Sequence, residues 1–197
     1  MRSVSETIAA VAPSATMAMS NRSKEMIASG IDVISLAVGE PDFATPAHIT
    51  QAAIDALNRG ETHYAPSRGL PELTQAVAEK LNRDNHIAAT QKQIMVTAGA
   101  KDAIRITMMA TLKKGDEGGV IDPSWGSYEP CVQIAGGKAV HYSLNADFQV
   151  DESIYDVITD KTKMIIVNTP SNPTGSVLGR SSLRLIADVC TDHDLFC

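Results

Sequence analysis

The chain has 197 residues, of which 44% are hydrophobic and 20% charged, with a formal net charge of −6. This composition excludes a disordered or collagenous chain, and the length suits one large domain or two small ones. Seventeen basic against 23 acidic residues, with no run of Lys or Arg, argue against a nucleic-acid surface. No apolar run approaches the roughly 20 residues of a membrane helix. Small molecules are therefore the expected partners, with no nucleic acid and no membrane.

The cysteines favour a reducing compartment. Cys131, Cys190 and Cys197 are an odd number and form no C-x-x-C pair, which predicts reduced thiols in a cytoplasmic protein. Pro13 interrupts the short apolar stretch 8–12 before it reaches the length of a secretory leader. Cys190 and His193 have a ligand-like spacing, but two ligands are half of a zinc site, so no metal is predicted.

The first 90 residues predict helices with little sheet. We expect residues 1–45 to be irregular apart from a helix over 20–29, stopped by Gly30, and a short strand over 33–37. Apolar residues at helical spacing predict a helix from Pro46, capped by Thr45 and ended by Gly60. A second helix is predicted to start near Pro71.

After residue 90, short β-rich runs alternate with helix-length segments. The predicted strands are 94–97, 120–121, 139–143, 164–167 and the start of another at 195–196. The predicted helices are 100–113, 126–135, 151–158 and 180–193. This alternation is typical of βαβ units, so the fold class is α/β with a largely parallel sheet flanked by helices.

Three loops that follow predicted strands carry unusual chemistry, at the sheet edge where ligands bind in such folds. Residues 98–101 join small side chains to a helix N-terminus, which favours anions such as phosphate. Trp125, the only tryptophan, offers a flat apolar face, and Asn172 offers an amide donor. Each feature alone also fits a structural role. Together they suit a phosphorylated aromatic cofactor, either a nucleotide or pyridoxal phosphate.

Four segments of the sequence resemble the motifs of a known protein family. They read GEPDFxTP at 39–46, YAPxxGxPEL at 64–73, DPxWxxY at 122–128 and NxPxNPTG at 168–175. In order and spacing they resemble the fold type I pyridoxal-phosphate aminotransferases of class I and II, in particular the prokaryotic aspartate aminotransferase subgroup. The resemblance extends from about residue 12 to the last residue.

The resemblance implies a cofactor site for pyridoxal 5′-phosphate. Backbone N–H groups of the 99–101 turn would hold the phosphate, Trp125 would stack on the pyridine ring, and Asn172 would bond its phenolic oxygen. Tyr64 would reach the phosphate of the neighbouring subunit, which implies a homodimer with shared active sites. The cofactor-binding residues are thus Gly99, Ala100, Lys101, Trp125, Asn172 and Tyr64. A cis peptide is also expected at Asn172-Pro173.

The resemblance further implies transamination between an amino acid, with aspartate favoured, and a 2-oxo acid. Gly39 would offer backbone to the substrate α-carboxylate, and Lys101 would attract the distal carboxylate of a dicarboxylic substrate. The implied substrate-binding residues are Gly39, Lys101, Trp125, Asn172, Ser14 and Thr16.

The resemblance covers only the family's N-terminal half. It implies that 1–45 form an N-terminal arm and the start of a small domain, and that 46–197 begin the large cofactor-binding domain. The lysine that attaches the cofactor, the carboxylate at its ring nitrogen and the arginine for the substrate correspond to positions after Cys197. No catalytic residue is therefore assigned, and these 197 residues alone are expected to be inactive.

Two other interpretations stay open at this point. One is a family relative with another substrate or reaction, such as a prephenate or aromatic aminotransferase or a β-lyase. The other is a non-catalytic fragment.

Gly118 and Gly119 stand where the family that the chain resembles usually has apolar strand residues. Glycine weakens a strand, which predicts a less stable edge of the sheet.

Overall fold

The computed structural model describes residues 3–197 and divides the chain into two compact units. One unit combines the N-terminal segment up to Ser14 with Ala100–Cys197, and the other is Ala15–Gly99. Each unit is described by itself. The predicted boundary at residue 45 concerns the domains of the family and stays a prediction.

Seven α-helices and three strands lie among residues 3–197. The helices are α1 (Glu6–Ala9), α2 (Ala15–Ala28), α3 (Ala47–Asn58), α4 (Pro71–Asn85), α5 (Ala100–Thr111), α6 (Tyr128–Ile134) and α7 (Arg180–Asp192). The strands are β1 (Glu117–Asp122), β2 (Lys138–Ser143) and β3 (Thr162–Ile166). Two 3₁₀ helices cover Gln91–Gln93 and Glu152–Val157. No helix of this part of the chain is long and apolar enough to cross a membrane.

The unit Ala15–Gly99 corrects two strand predictions. Residues 33–37 and 94–97 are extended or irregular and belong to no strand, because neither segment pairs with another in a ladder. A backbone bond from Val96 N–H to the Arg68 carbonyl, at 2.9 Å, joins the second segment to the chain before α4. Both segments have apolar, β-branched composition, but a strand also needs a neighbour to satisfy its N–H and C=O groups.

Helix boundaries in this unit differ from the predictions at their N-terminal ends. Helix α2 starts at Ala15, five residues before the predicted start at Ser20. Pro46, not Thr45, is the residue that precedes the first turn of α3, and no side-chain cap is present. The predicted stop at Gly60 is confirmed, since this residue has φ +77° just after the helix. Helix α4 begins at Pro71 as predicted.

The sheet lies in the other unit and has the strand order β2-β1-β3, with both pairings parallel. Predicted strands 120–121, 139–143 and 164–167 all fall on it within a few residues. Phe196 also forms a parallel bridge with Met164, as expected for a further strand starting at 195–196. The α/β class with a parallel sheet flanked by helices is therefore confirmed.

Apolar clusters cover both faces of this sheet. On one face Met108 of α5, Leu112 just after it, and Cys131 and Val132 of α6 pack with Met164 of β3. On the other face α7 contributes Ile186 and Val189, which pack with Ile165 and with Ile154 of the second 3₁₀ helix. The successive residues Met164 and Ile165 of β3 thus face opposite layers, as the pleat of a strand requires.

Gly118 and Gly119 lie in the central strand of the sheet, and this corrects their predicted place at an edge. A Cβ atom at Gly118 would lie 2.9 Å from Cγ2 of Val132, and one at Gly119 would lie 3.3 Å from the Met164 carbonyl oxygen. The contact at Gly118 is closer than real Cβ atoms make, and the one at Gly119 is tight enough that the neighbouring backbone would have to shift. The glycines therefore let α6 and β3 approach β1, in addition to any loss of strand propensity.

Candidate cofactor site

The turn 98–101 leads into the first turn of α5. Gly99 has φ +89°, a conformation that favours glycine, and nothing lies within 4 Å of the position its Cβ would take. The first N–H groups of an α-helix lack partners within the helix and carry partial positive charge. Ala100 and Lys101 are the first residues of α5, so their N–H groups have this character.

Two cationic side chains, Lys101 and Arg105, lie near the start of α5. The Arg105 guanidinium bonds Asp102 at 2.7 Å, so the only carboxylate in the first turn is compensated within the helix. Burial raises the pKa of the Cys131 thiol, while the charges of Lys101 and Arg105 oppose that rise. Both cations are therefore close enough to favour negative charge in this neighbourhood.

Trp125 lies in the loop between β1 and α6, next to the start of α5. The Lys101 ammonium is 4.9 Å from the centre of its ring. This distance suits a cation–π contact. The Tyr128 ring meets Trp125 edge-on, with centroids 5.5 Å apart and planes at 87°. Tyr128 is buried, and this burial raises its pKa, which keeps the phenol neutral beside the indole.

The loop that follows β3 carries Asn172, whose side chain is exposed. Its peptide bond to Pro173 is cis, as the resemblance implied, and Asp122-Pro123 and Thr169-Pro170 are cis as well. The Ser171 hydroxyl donates to the Pro123 carbonyl at 3.3 Å, which joins this loop to the one that carries Trp125.

A pocket lies between these two loops, and polar side chains line much of it. The polar lining residues are Ser124, Asn168, Ser171, Asn172 and Ser176. The other half of the lining comes from Ile121 and Ile166 at the ends of β1 and β3, and from Tyr128, Leu144 and Leu178. The pocket thus opens at the carboxyl ends of two neighbouring parallel strands, where ligands bind in α/β sheets.

The predicted site residues fall into two groups. Ala100, Lys101, Trp125 and Asn172 belong to the unit with the sheet, where Lys101 contacts the Trp125 ring and the Asn172 loop contacts the Trp125 loop. Gly39, Tyr64 and Thr16 belong to the unit Ala15–Gly99. In that unit Tyr64 is fully exposed, and Thr16 lines a groove between α2 and residues 34–37. Ser14 directly precedes α2.

Sequence analysis missed a polar cluster beside Trp125. The Asp122 carboxylate accepts a bond from the Ser124 hydroxyl at 2.6 Å and contacts Nδ1 of His141 on β2 at 2.7 Å. Asp122 was visible as the first residue of DPxWxxY. His141 could not have been found, because parallel register, not sequence distance, brings β2 beside β1.

Comparison with known proteins agrees with this geometry. Residues 31–197 match the family model described as aminotransferase class I and II. This chain belongs to the class I and II aminotransferases. The family uses pyridoxal 5′-phosphate as its cofactor, and the recognition made from the four segments is confirmed.

Two curated relatives and one solved structure describe the likeness further. The chain is 42% identical over 191 residues to an aspartate aminotransferase of Bacillus subtilis, covering 95% of this chain and 49% of the relative. It is 40% identical over 199 residues to an aspartate/prephenate aminotransferase of Thermus thermophilus, covering 100% of this chain and 52% of the relative. An aspartate aminotransferase of T. thermophilus, solved with maleate, has a TM-score of 0.95 at 40% identity and covers 99% of this chain and 52% of that one.

The chain therefore spans about half the length of the aminotransferases it matches. The residues it does contain fit the family's cofactor. The turn at Gly99 leaves open space beside the Ala100 and Lys101 N–H groups at the start of α5, although the Gly99 N–H donates to the Thr97 carbonyl at 2.8 Å. Trp125 presents a ring beside a cation, and the exposed Asn172 amide has no bond to another of residues 3–197. This donor set matches a phosphate, an aromatic ring and a ring oxygen.

Proposed function

We propose that this aminotransferase chain binds pyridoxal 5′-phosphate at the carboxyl edge of its sheet and serves transamination between an amino acid and a 2-oxo acid. The observation that carries the proposal is the Lys101 ammonium 4.9 Å from the Trp125 ring, at the first turn of α5. It combines a cation, a planar apolar surface and unpaired N–H groups in one place. A phosphorylated pyridine needs all three.

Each residue of the chain has a defined task in this proposal. The N–H groups of Ala100 and Lys101 hold the phosphate, together with that of Gly99, whose 2.8 Å bond to the Thr97 carbonyl the phosphate would replace. Trp125 stacks on the ring and fixes its plane. The Asn172 amide donates to the ring's phenolic oxygen. When bound, the cofactor supplies an electron-withdrawing ring that stabilises negative charge on the substrate α-carbon.

We propose aspartate as the preferred amino donor. The relatives from B. subtilis and T. thermophilus carry aspartate in their names, and the T. thermophilus structure was solved with maleate, a dicarboxylate. Lys101 supplies a cation for the distal carboxylate, Ser14 and Thr16 supply polar groups, and Gly39 supplies backbone for the α-carboxylate. Trp125 and Asn172 would contact the substrate as well as the cofactor.

We propose a homodimer in which Tyr64 of one subunit reaches the phosphate of the other. The fully exposed Tyr64 side chain supports this, because a buried phenol could not reach a second chain. We also propose a cytoplasmic location, which the free thiols of Cys131, Cys190 and Cys197 support.

Fluorescence of Trp125 tests cofactor binding directly, since it is the only tryptophan. Titration of the 197-residue chain with pyridoxal 5′-phosphate should quench its emission and saturate. Pyridoxal without phosphate should bind at least about tenfold more weakly, because it loses two or more charge-assisted hydrogen bonds to backbone N–H groups.

An Asn172→Ala variant should weaken the phosphorylated cofactor by about 1–2 kcal/mol, the value of one hydrogen bond. Asn58→Ala, at the exposed end of α3, is the matched control and should leave the titration unchanged. Equal affinity for pyridoxal and its phosphate would reject the phosphate role of the 99–101 turn.

A further inference from the structure

The turn that carries Trp125 is held at its start by a chain of three side chains. The Ser124 hydroxyl donates to Oδ1 of Asp122 at 2.6 Å, and Oδ2 of the same carboxylate lies 2.7 Å from Nδ1 of His141. A carboxylate only accepts, so Nδ1 of His141 carries the hydrogen. Both oxygens of Asp122 are therefore engaged, and Ser124 is the residue directly before Trp125.

His141 belongs to β2 and is fixed by the sheet. It stands opposite Val120 in the parallel register, two residues before the end of β1. Its Nε2 lies 3.9 Å from Oε2 of Glu129 in the first turn of α6. Asp122 and Glu129 flank the turn 123–127 on either side. The imidazole thus lies between the two carboxylates that bracket Trp125.

Other contacts also hold this turn. The Lys101 ammonium and the Tyr128 ring both contact the Trp125 ring. Pro123 has no N–H group, and its carbonyl accepts a 3.3 Å bond from Ser171. The Trp125 carbonyl accepts from Tyr128 N–H at 3.1 Å, which fixes the far end of the turn at the start of α6. Without His141 the half-exposed Asp122 side chain would keep its bond to Ser124 but lose its contact with β2, so both side chains would be less firmly held.

We propose that His141 is a positioning residue for the cofactor ring: acting through Asp122 and Ser124, it sets the orientation in which Trp125 is presented. This inference rests on the proposed function and deepens it, because Trp125 is the residue proposed to stack on the ring. His141 itself touches neither cofactor nor substrate.

The experiment uses the 197-residue chain and its single tryptophan. The first measurement is acrylamide quenching of Trp125 without cofactor, and the second is its quenching by pyridoxal 5′-phosphate. His141→Ala should raise the acrylamide quenching constant, and should weaken the cofactor by about twofold to tenfold, the range for loss of one hydrogen bond. His141→Asn keeps an N–H donor near the Nδ1 position and should restore both values.

Two further variants separate positioning from general stability. Ser124→Ala removes the hydrogen bond from Ser124 to Asp122 and leaves the contact of His141 with Asp122 intact. It should therefore raise the acrylamide quenching of Trp125 without lowering the urea midpoint. His48→Ala, on the exposed surface of α3 in the other unit, makes the same substitution elsewhere and should change nothing.

The outcomes are distinct. Unchanged acrylamide quenching in His141→Ala and Ser124→Ala would overturn the proposal, as would a loss of urea stability in both with no specific change at Trp125. If the unaltered chain binds no pyridoxal 5′-phosphate, the proposed function fails for this chain, while the acrylamide measurement still decides the role of His141.

Discussion

Because Gly118 has no Cβ atom, Val132 of α6 can pack closely on the sheet. The position that a Cβ would take at Gly118 is 2.9 Å from Val132 Cγ2 and 3.3 Å from its Cγ1, and the Val132 side chain is fully buried. Sequence reasoning correctly noticed that glycine is unusual in a strand. It could not tell that the space belongs to Val132, because that contact is made between separate elements.

We expect Gly118→Ala to destabilise the chain by about 1–3 kcal/mol, the cost of an overpacked core, as measured by urea unfolding. Val132→Ala should rescue part of this loss when the two are combined, since it removes the clashing methyl groups. Gly126→Ala is the control, because nothing lies within 4 Å of its Cβ position and its φ is not positive. A Gly118→Ala chain as stable as the parent would contradict the close approach of α6.

Asp151 gives a prediction for pH. Hydrogen bonds from the Ser153 hydroxyl and amide, with smaller contributions from Tyr142 and Asn145, lower the pKa of this carboxyl. A lowered pKa means that its ionised form stabilises the fold above the ordinary aspartate value of about 3.9, and that this stability is lost as pH falls below it.

Asp151→Asn should therefore lower the urea midpoint at pH 7 and make little difference near pH 2, where the parent carboxyl is also neutral. Asp147→Asn, four residues earlier, changes a side chain that makes no hydrogen bond within residues 3–197 and serves as control. A deficit of the same size at both pH values would show that ionisation of Asp151 does not matter.

At the scale of elements, prediction succeeded where the local pattern was sufficient. Helix α4 begins at its proline, and α5 and α7 end within two residues of their predicted positions, because apolar spacing and Pro or Gly signals are local. The strands at 33–37 and 94–97 failed, because β composition requires a partner and neither segment has one. Helix α2 starts at Ala15, directly after Ser14, a residue type that favours helix N-caps and that the prediction did not use.

A buried hydroxyl connects α4 to the segment that follows it. Thr74 donates to the Pro71 carbonyl at 3.0 Å and accepts from the Gln91 amide at 3.2 Å, in a buried position. Thr74→Val should cost about 0.5–1.5 kcal/mol, the net value of one hydrogen bond, because the Gln91 amide keeps its bond to the Pro71 carbonyl at 2.8 Å. Thr191→Val, exposed on α7, removes a similar bond to a carbonyl and should cost clearly less in the same urea experiment.

At the scale of the molecule, part of the predicted site geometry is present. Trp125 and Asn172 lie on contacting loops that follow β1 and β3, whereas Lys101 reaches the Trp125 ring from α5, which follows no strand because residues 94–97 form none. The division at Gly99/Ala100 was not foreseen, because it reflects packing between distant segments rather than composition. The roles of Gly39, Ser14, Thr16 and Tyr64 depend on the resemblance and stay predictions.

We predict that the purified 197-residue chain, saturated with pyridoxal 5′-phosphate, forms no measurable oxaloacetate from aspartate and 2-oxoglutarate. None of its lysines stands in the family's context for covalent attachment of the cofactor. Oxaloacetate production in a coupled dehydrogenase assay would show that one of them can act in that role. A Trp125→Phe chain run in parallel would then show whether that turnover uses the proposed site.

The strand order β2-β1-β3 has a consequence for evolution of the chain. The connection after β1 passes through α6 on one face of the sheet, whereas the connections after β2 and β3 pass to the opposite face. Chain segments leaving the neighbouring strands β1 and β3 must therefore diverge, and a cleft opens between them whatever residues they carry. A ligand bound in that cleft, as proposed, would owe its place to connectivity, so substitutions in the two loops could change its chemistry without changing the layers beneath.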